Sequence, residues 1–171
     1  MTTLHYLAYG SNLHPLRLQE RVPSARFIGV APLPGRAVTF HKRSMDGSGK
    51  CNLVAADASS VAYGAVYEFL RRDKPRLDAV EMCGGGYREV AMKAMLNGAC
   101  YQPYVYLATR SHIDDSLRPY DWYHSLVIAG VRYYDLPEEY LSGLTSVSPV
   151  PDPDEERAAT MAALLTRVAH Y

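Results

Sequence analysis

The stretch from Val61 to Phe69 limits most strongly what this chain can fold into. Its sequence, VAYGAVYEF, is typical of a β-strand that is apolar on nearly both faces. Such a strand has to be covered on both sides, because an uncovered face would expose apolar side chains to water. The sequence therefore predicts a sheet or barrel wall with further layers packed on both faces.

The rest of the chain supplies further strands first and most of its helices late. Alternating or β-rich segments predict strands over 4–9, 26–31, 37–41, 51–56, 87–96 and 99–108. Asn97-Gly98 predicts a hairpin between the last two strands, and Pro103 argues for an edge or a bulge in the last one. Apolar spacing and capping residues predict helices over 14–21, 73–82, 120–134, 137–144 and after residue 154.

This order of elements predicts an α+β fold, a small mixed, mostly antiparallel β-barrel with flanking helices. The chain has 171 residues, of which 48% are hydrophobic, and this suits one domain with a core of its own. We expect residues 1–147 to form that domain. Prolines at every second position predict a stiff connector at the start of 148–171, and we expect the helix that follows it to dock on the same domain.

The numbers of charged residues and cysteines argue against several classes of protein. Lys and Arg total 18 and so do Asp and Glu, which disfavours a nucleic-acid partner or attachment to a membrane by bulk charge. The three cysteines form no CxxC and no zinc-site spacing, and the N-terminus lacks a signal-peptide pattern. No run approaches the ~18 apolar residues of a membrane span. We expect a cytoplasmic protein with no metal site and no nucleic-acid or membrane partner.

The first candidate site is Tyr9-Gly10-Ser11-Asn12, which follows the first predicted strand. Gly10 permits backbone conformations that a Cβ would prevent, and Ser11 and Asn12 offer side-chain hydrogen bonds. Successive N–H groups in such a turn can converge on an anion or an oxyanion. The alternative is an ordinary turn that ends a strand, and a four-residue turn taken alone is more often structural.

The second candidate is Glu81, at the end of a predicted helix. The helix dipole and the apolar neighbours Val80 and Met82 both disfavour the charged carboxylate, a condition that suits a general base. The alternative is a solvated glutamate at a fraying helix end. Cys83 is a weaker candidate nucleophile, because no base lies at a fixed spacing from it. Tyr87 and Tyr123 each lie on a predicted strand or helix with a regular apolar pattern. Considered alone, each is therefore more typical of a core residue than of a ligand-binding one.

Taken in order, these segments resemble the γ-glutamylcyclotransferase-like family, which includes the AIG2-like proteins. The segments that carry the resemblance are YLAYGSNL at 6–13, the loop at 41–50, VAYGAVY at 61–67, LDAVE at 77–81 followed by Tyr87, the helix that contains Tyr123, and LPEEY at 136–140. Together they cover about residues 4–145. At Ala79-Val80 this chain departs from the many relatives that carry acidic or amide side chains there.

The resemblance implies an enzyme that cyclises γ-glutamyl groups. The α-amine attacks the γ-carbonyl and releases 5-oxoproline with a free amine or amino acid, and Glu81 acts as general acid and base. The resemblance also implies a set of substrate-binding residues: Tyr6, Leu7, Ala8, Tyr9, Gly10, Ser11, Asn12, Tyr87 and Tyr123. It implies a small γ-glutamyl molecule as the partner, with no cofactor and no metal.

Several alternatives stay open at this point. The substrate is a γ-glutamylamine, glutathione or another γ-glutamylated metabolite, and the oligomer is a monomer or a homodimer. A different class of function is a binding module that keeps the cavity without turnover. The presence of both Glu81 and the YGSN segment favours the enzyme over the binding module.

Overall fold

The computed structural model describes residues 2–171, and these form nine strands and five α-helices. The strands are β1 (Thr3–Ala8), β2 (Arg26–Pro34), β3 (Arg36–Arg43), β4 (Gly49–Ala55), β5 (Val61–Leu70), β6 (Tyr87–Ala91), β7 (Ala94–Leu96), β8 (Ala99–Tyr101) and β9 (Tyr104–Ala108). The helices are α1 (Pro15–Arg21), α2 (Lys74–Val80), α3 (Asp121–Tyr133), α4 (Glu138–Thr145) and α5 (Glu155–Ala169). The α+β class predicted from the sequence is confirmed.

The main sheet is mixed and mostly antiparallel, as predicted, but it is not a closed barrel. Its five strands lie in the order β2-β5-β1-β9-β6, and β1 pairs antiparallel with β5 and parallel with β9. The barrel prediction is wrong because the remaining strands do not close the sheet. Instead β3 pairs with β4 and β7 pairs with β8, each as a separate two-stranded ribbon. The β7 ribbon packs across β2, where Leu96 approaches Gly29.

Strand β5 lies between β2 and β1 and is covered on both faces, as its sequence predicts. Residues whose side chains point to either face are buried, among them Ala62, Ala65, Val66 and Tyr67. Gly64 allows Leu7 of β1 to pack closely, since a Cβ at this position would lie 2.7 Å from the Leu7 side chain. This strand therefore forms the centre of the core and supports the end of β1.

Two predicted strands are each divided in the structure. The predicted strand 87–96 becomes β6 and β7, and the predicted strand 99–108 becomes β8 and β9. The break in the second lies at Pro103, which cannot donate to a strand ladder. Asn97 and Gly98 have φ values of 48° and 80° and join β7 to β8 in the predicted hairpin turn.

Helix α3 presses against the segment that follows β1. Its Gly130 makes this approach possible, because a Cβ there would lie 2.9 Å from both Leu13 and the backbone nitrogen of His14. Helix α5 packs on α3 in turn. Within residues 2–171, we find no helix with the length and apolar character needed to cross a membrane.

Candidate active site

The segment after β1 forms a tight turn beside β4 and α3. A short 3-10 turn spans Ser11–Leu13, and the Leu13 N–H donates to the Gly10 carbonyl at 2.9 Å. Gly10 has a negative φ of −109°, so what favours glycine here is the space around it. A Cβ would lie 3.1 Å from the Cys51 Cβ and 3.3 Å from the Tyr123 hydroxyl. The turn is therefore held against two other elements of the fold.

Helix α2 ends at Val80, two residues before the predicted helix end at residue 82, and Glu81 follows it directly. Met82 takes a left-handed conformation with φ of 51°, and the Cys83 N–H donates to the Asp78 carbonyl at 2.9 Å. This is the bonding pattern that closes many helices at a left-handed residue. The turn ends α2 sharply, and the chain then returns to Tyr87, whose N–H is 3.4 Å from the Met82 carbonyl oxygen.

The Glu81 carboxylate is held by a network of polar side chains. Its Oε1 accepts from Asn12 Nδ2 at 2.8 Å and from Arg21 Nη1 at 3.0 Å. Arg21 also donates to Asn12 Oδ1 at 2.7 Å, and Asn12 donates to the Tyr6 hydroxyl at 3.1 Å. The Glu81 and Arg21 side chains are each only 16% exposed. Glu81 is thus fixed against the turn after β1 rather than solvated at a frayed helix end.

These groups border a small cavity, which we call the tyrosine cavity. Its lining residues are Tyr6, Tyr9, Gly10, Ser11, Asn12, Cys51, Glu81, Tyr87, Tyr106 and Tyr123. Its volume is about 20 Å³, enough for about one water molecule. Side chains in the wall therefore have to move before a larger molecule enters.

Hydrogen bonds to the backbone fix the aromatic walls of the tyrosine cavity. The Tyr9 hydroxyl donates to the Tyr106 carbonyl, and the Tyr87 hydroxyl donates to the Cys51 carbonyl, both at 2.5 Å. The Tyr123 hydroxyl accepts from the Cys51 N–H at 3.1 Å. Cys51 of β4 therefore holds both Tyr87 and Tyr123 in place.

The structure brings most of the predicted site residues together. Glu81 and all the predicted substrate-binding residues except Leu7 and Ala8 line the tyrosine cavity. Leu7 and Ala8 lie fully buried within β1, against its sheet partner β5. Sequence reasoning missed Cys51 and also missed Tyr106, which it included only in the predicted strand 99–108.

Two arginines beside the tyrosine cavity were also missed. Arg17 and Arg21 are four residues apart on α1, a spacing that puts them on one helix face and is a signal the sequence offered. The Arg17 side chain is 14% exposed, and its Nε is buried with no hydrogen-bond partner among residues 2–171. Burial and the nearby Arg21 lower the pKa of Arg17 to about 10.

Burial keeps the other titratable groups of the tyrosine cavity neutral. It raises the pKa of Tyr9, Tyr87 and Tyr123 well above the usual value and raises the pKa of Cys51 to about 12. Burial likewise raises the pKa of the Cys83 thiol. Among the described residues that line the cavity, Glu81 alone carries a carboxylate. In the same described part, no three His, Cys, Asp or Glu side chains converge as metal ligands would.

Comparison with protein families identifies the chain. The family described as "Gamma-glutamyl cyclotransferase, AIG2-like" matches residues 6–125, which include the turn after β1, Glu81, Tyr87 and Tyr123. The chain belongs to this family. The predicted family is therefore confirmed, and this gamma-glutamyl cyclotransferase-like chain is an enzyme of the general cyclotransferase type. A comparison with curated protein sequences gave no match.

Solved structures share the fold of this gamma-glutamyl cyclotransferase-like chain. One described as a gamma-glutamyl cyclotransferase is 24% identical and has a TM-score of 0.82, over 97% of this chain and 99% of that one. An uncharacterized protein from Homo sapiens is 25% identical with a TM-score of 0.80, over 95% and 99% of the two chains. YkqA from Bacillus subtilis is 18% identical with a TM-score of 0.72, over 87% of this chain and 56% of its own.

Proposed function

We propose that this protein cyclises the γ-glutamyl group of a small substrate. The α-amine nitrogen forms a bond to the γ-carbonyl carbon, and the bond from that carbon to the leaving nitrogen breaks. The products are 5-oxoproline and a free amine or amino acid, with no water consumed. The observation that carries the proposal is the position of Glu81, a lone carboxylate in a tyrosine-lined cavity beside the YGSN turn.

Glu81 acts as general base and then as general acid. The α-ammonium has to lose a proton before it attacks, and the leaving nitrogen has to gain one, so a single carboxylate can carry out both transfers. The contacts of Glu81 with Asn12 and Arg21 both use Oε1. Among the described residues no donor binds Oε2, and this oxygen is available to the substrate's ammonium group.

The turn after β1 and α1 supply the groups that bind the substrate's charge. Backbone N–H groups of Gly10, Ser11 and Asn12 are the candidates for the oxygen that becomes negative during attack. The guanidinium of Arg17 has an unpartnered Nε and only a long ion pair with Glu20, 3.7 Å from Nη1, and its planar fork suits the α-carboxylate of the γ-glutamyl group. Arg21 cannot take this role easily, because it already holds Glu81.

The small volume of the tyrosine cavity favours cyclisation over hydrolysis. Cyclisation needs the substrate to be curled so that its own amine reaches its carbonyl, and a tight site can impose this conformation. A cavity of about 20 Å³ has to open before the γ-glutamyl group can enter, and a closely fitting site then favours the curled conformation. The three cysteines are free thiols, which supports a reducing, cytoplasmic location for this reaction.

The test is a product assay on a panel of γ-glutamyl compounds. Purified protein is incubated with γ-glutamyl-alanine, a γ-glutamylamine and glutathione, and 5-oxoproline, glutamate and the free amine are measured by mass spectrometry. We expect equimolar 5-oxoproline and amine from at least one compound. Glutamate in place of 5-oxoproline would indicate a hydrolase, and calorimetric binding without any product would indicate a binding module.

A further inference from the structure

Two lysines lie directly opposite each other on β3 and β4, and only one of them is neutralised. Lys42 pairs with Lys50 in the strand register. Like charges that lie directly opposite each other destabilise a pair of strands. The Lys50 ammonium lies 2.7 Å from Asp46 Oδ2 and 2.8 Å from Ser48 Oγ. Lys42 is only 3% exposed, yet within residues 2–171 no carboxylate lies within 4.0 Å of its ammonium. Little of Lys42 reaches water and its ammonium has no ion-pair partner, an arrangement that costs stability.

The Lys42 ammonium lies against an aromatic ring in the wall of the tyrosine cavity. Its Nζ is 4.5 Å from the centroid of the Tyr87 ring, which forms part of the cavity wall. Gly86 makes room for it, since a Cβ there would lie 2.9 Å from Nζ. Lys42 does not itself line the cavity. The positive charge of Lys42 therefore lies against one ring of the cavity wall.

The charges around Lys42 decide which group it can bind. Burial lowers the pKa of Lys42, whereas the negative charges of Glu81 and Asp46 act in the opposite direction. Asp46 is already paired with Lys50, and Glu81 is paired with Arg21. An unpaired ammonium on an aromatic face is a binding site for an anion such as a carboxylate, with the ring supporting the cation.

We infer that Lys42 binds a carboxylate carried by the leaving amine, and that the enzyme therefore selects γ-glutamyl amino acids and peptides over γ-glutamylamines that lack this group. The inference rests on the proposed cyclisation. In that reaction the α-carboxylate has its own partner in Arg17 of α1. Lys42 lies against the Tyr87 ring, and its unpaired ammonium is left for the other end of the substrate.

The test compares γ-glutamyl-alanine with γ-glutamyl-alaninamide, which differ only in the terminal carboxylate. We expect the wild-type enzyme to have a kcat/KM about 10-fold or more higher for the acid, the size of a charge-assisted contact. Lys42→Met keeps an apolar stem against Gly86 and Tyr87 but removes the charge. This variant should lose about 10-fold in kcat/KM on the acid and stay within about twofold on the amide.

Lys93→Met is the matched control, because it removes the same charge from an exposed position. Both kcat/KM values should be unchanged in this variant, which separates a specific contact from general attraction. Equal kcat/KM values for acid and amide in the wild type would overturn the inference even if Lys42→Met failed to fold. An equal loss on both substrates in Lys42→Met, or an unchanged preference, would also overturn it.

The same compounds distinguish this inference from the proposed function. If neither is cyclised by the wild type, the cyclisation proposal fails on these substrates. Calorimetry then compares their binding directly, and tighter binding of the acid that disappears in Lys42→Met still supports a carboxylate site at Lys42. Equal binding of the two compounds would refute that site.

Discussion

The tyrosine cavity and a much larger groove on the same molecule differ in almost every respect. The groove lies between β3, the start of β5 and α4, and its volume is about 490 Å³ against about 20 Å³ for the cavity. Its lining residues are Arg36, Ala37, Val38, Ser59, Ser60, Val61, Tyr63, Pro137, Glu139, Tyr140, Gly143 and Leu144. Volume alone would point to the groove, whereas converging polar groups point to the cavity.

The difference lies in how each region holds its polar groups. In the tyrosine cavity, Glu81, Asn12 and Arg21 form one network drawn from three separate segments of the chain. In the groove, Glu139 is exposed on the first turn of α4, where the helix N-terminus and water both favour its charge. Binding energy can therefore be directed at a reacting atom in the cavity, while the groove offers space without a fixed acid or base.

The largest expected effect comes from the same substitution made in both regions. Glu81→Gln keeps the shape and hydrogen bonds of the side chain but removes its ability to take a proton. We expect 5-oxoproline formation to fall by about 10²- to 10⁴-fold, the usual contribution of a general acid–base group. The measurement is kcat/KM on the best substrate of the panel, with circular dichroism to confirm folding.

Glu139→Gln is the matched control in the groove and should change kcat/KM by less than about twofold. Comparable losses in the two variants would break the distinction between the regions. Full activity in a folded Glu81→Gln variant would remove Glu81 from the mechanism.

A second pair of substitutions adds one methyl group to each region. Gly10→Ala places a Cβ 3.1 Å from Cys51 and 3.3 Å from the Tyr123 hydroxyl, so the turn or the wall has to shift. We expect kcat/KM to fall by about tenfold, because small displacements of binding groups are costly in catalysis. Steady-state kinetics on the same substrate measures this effect.

Gly143→Ala is the counterpart in α4, where a Cβ would meet nothing within 4 Å. Activity should be unchanged, and the free energy of unfolding should rise by about 0.5–1 kcal/mol because alanine favours the helix. Chemical denaturation gives this value. Loss of activity in Gly143→Ala would show that the groove takes part in the reaction.

The smallest expected effect concerns pH and tests whether the tyrosines of the cavity are shielded from water. Burial raises the pKa of Tyr9, Tyr87 and Tyr123 in the folded state, while unfolded tyrosines titrate near pH ~10. Their contribution to stability is complete below that pH and is lost as the pH rises above it, because only the unfolded chain then releases these protons.

We expect the melting temperature to fall by about 5 °C or more between pH ~9 and pH ~11. Absorbance at the tyrosinate band, followed with circular dichroism, should show a late step that coincides with unfolding. Complete tyrosine ionisation in the folded protein would contradict the burial of these three side chains.

Elements with strong local patterns could be predicted from the sequence. The two apolar faces of β5 and the Asn97-Gly98 turn each depend on neighbouring residues, and both are found as predicted. Closure of the sheet could not be predicted in this way. It depends on which distant strand edges pair, and the pairing of β3 with β4 alone leaves the sheet open.

The residues of the candidate site also differ in whether a local sequence pattern marks them. The YGSN turn and Glu81 stand out because their segments resemble a family, and they meet in one cavity. Cys51 and Lys42 carry no local signal, since each becomes informative only when another element packs beside it. The early end of α2 was missed because nothing in the sequence marks Met82 as a residue with positive φ.

The most direct test of the central claim is to run the reaction in H₂¹⁸O and examine the 5-oxoproline by mass spectrometry. Intramolecular attack forms the ring without water, and the account predicts 5-oxoproline that carries no ¹⁸O, released in equal amount with the amine. Glutamate that contains ¹⁸O, or 5-oxoproline that contains it, would show that water attacks the γ-carbonyl first and would contradict the account.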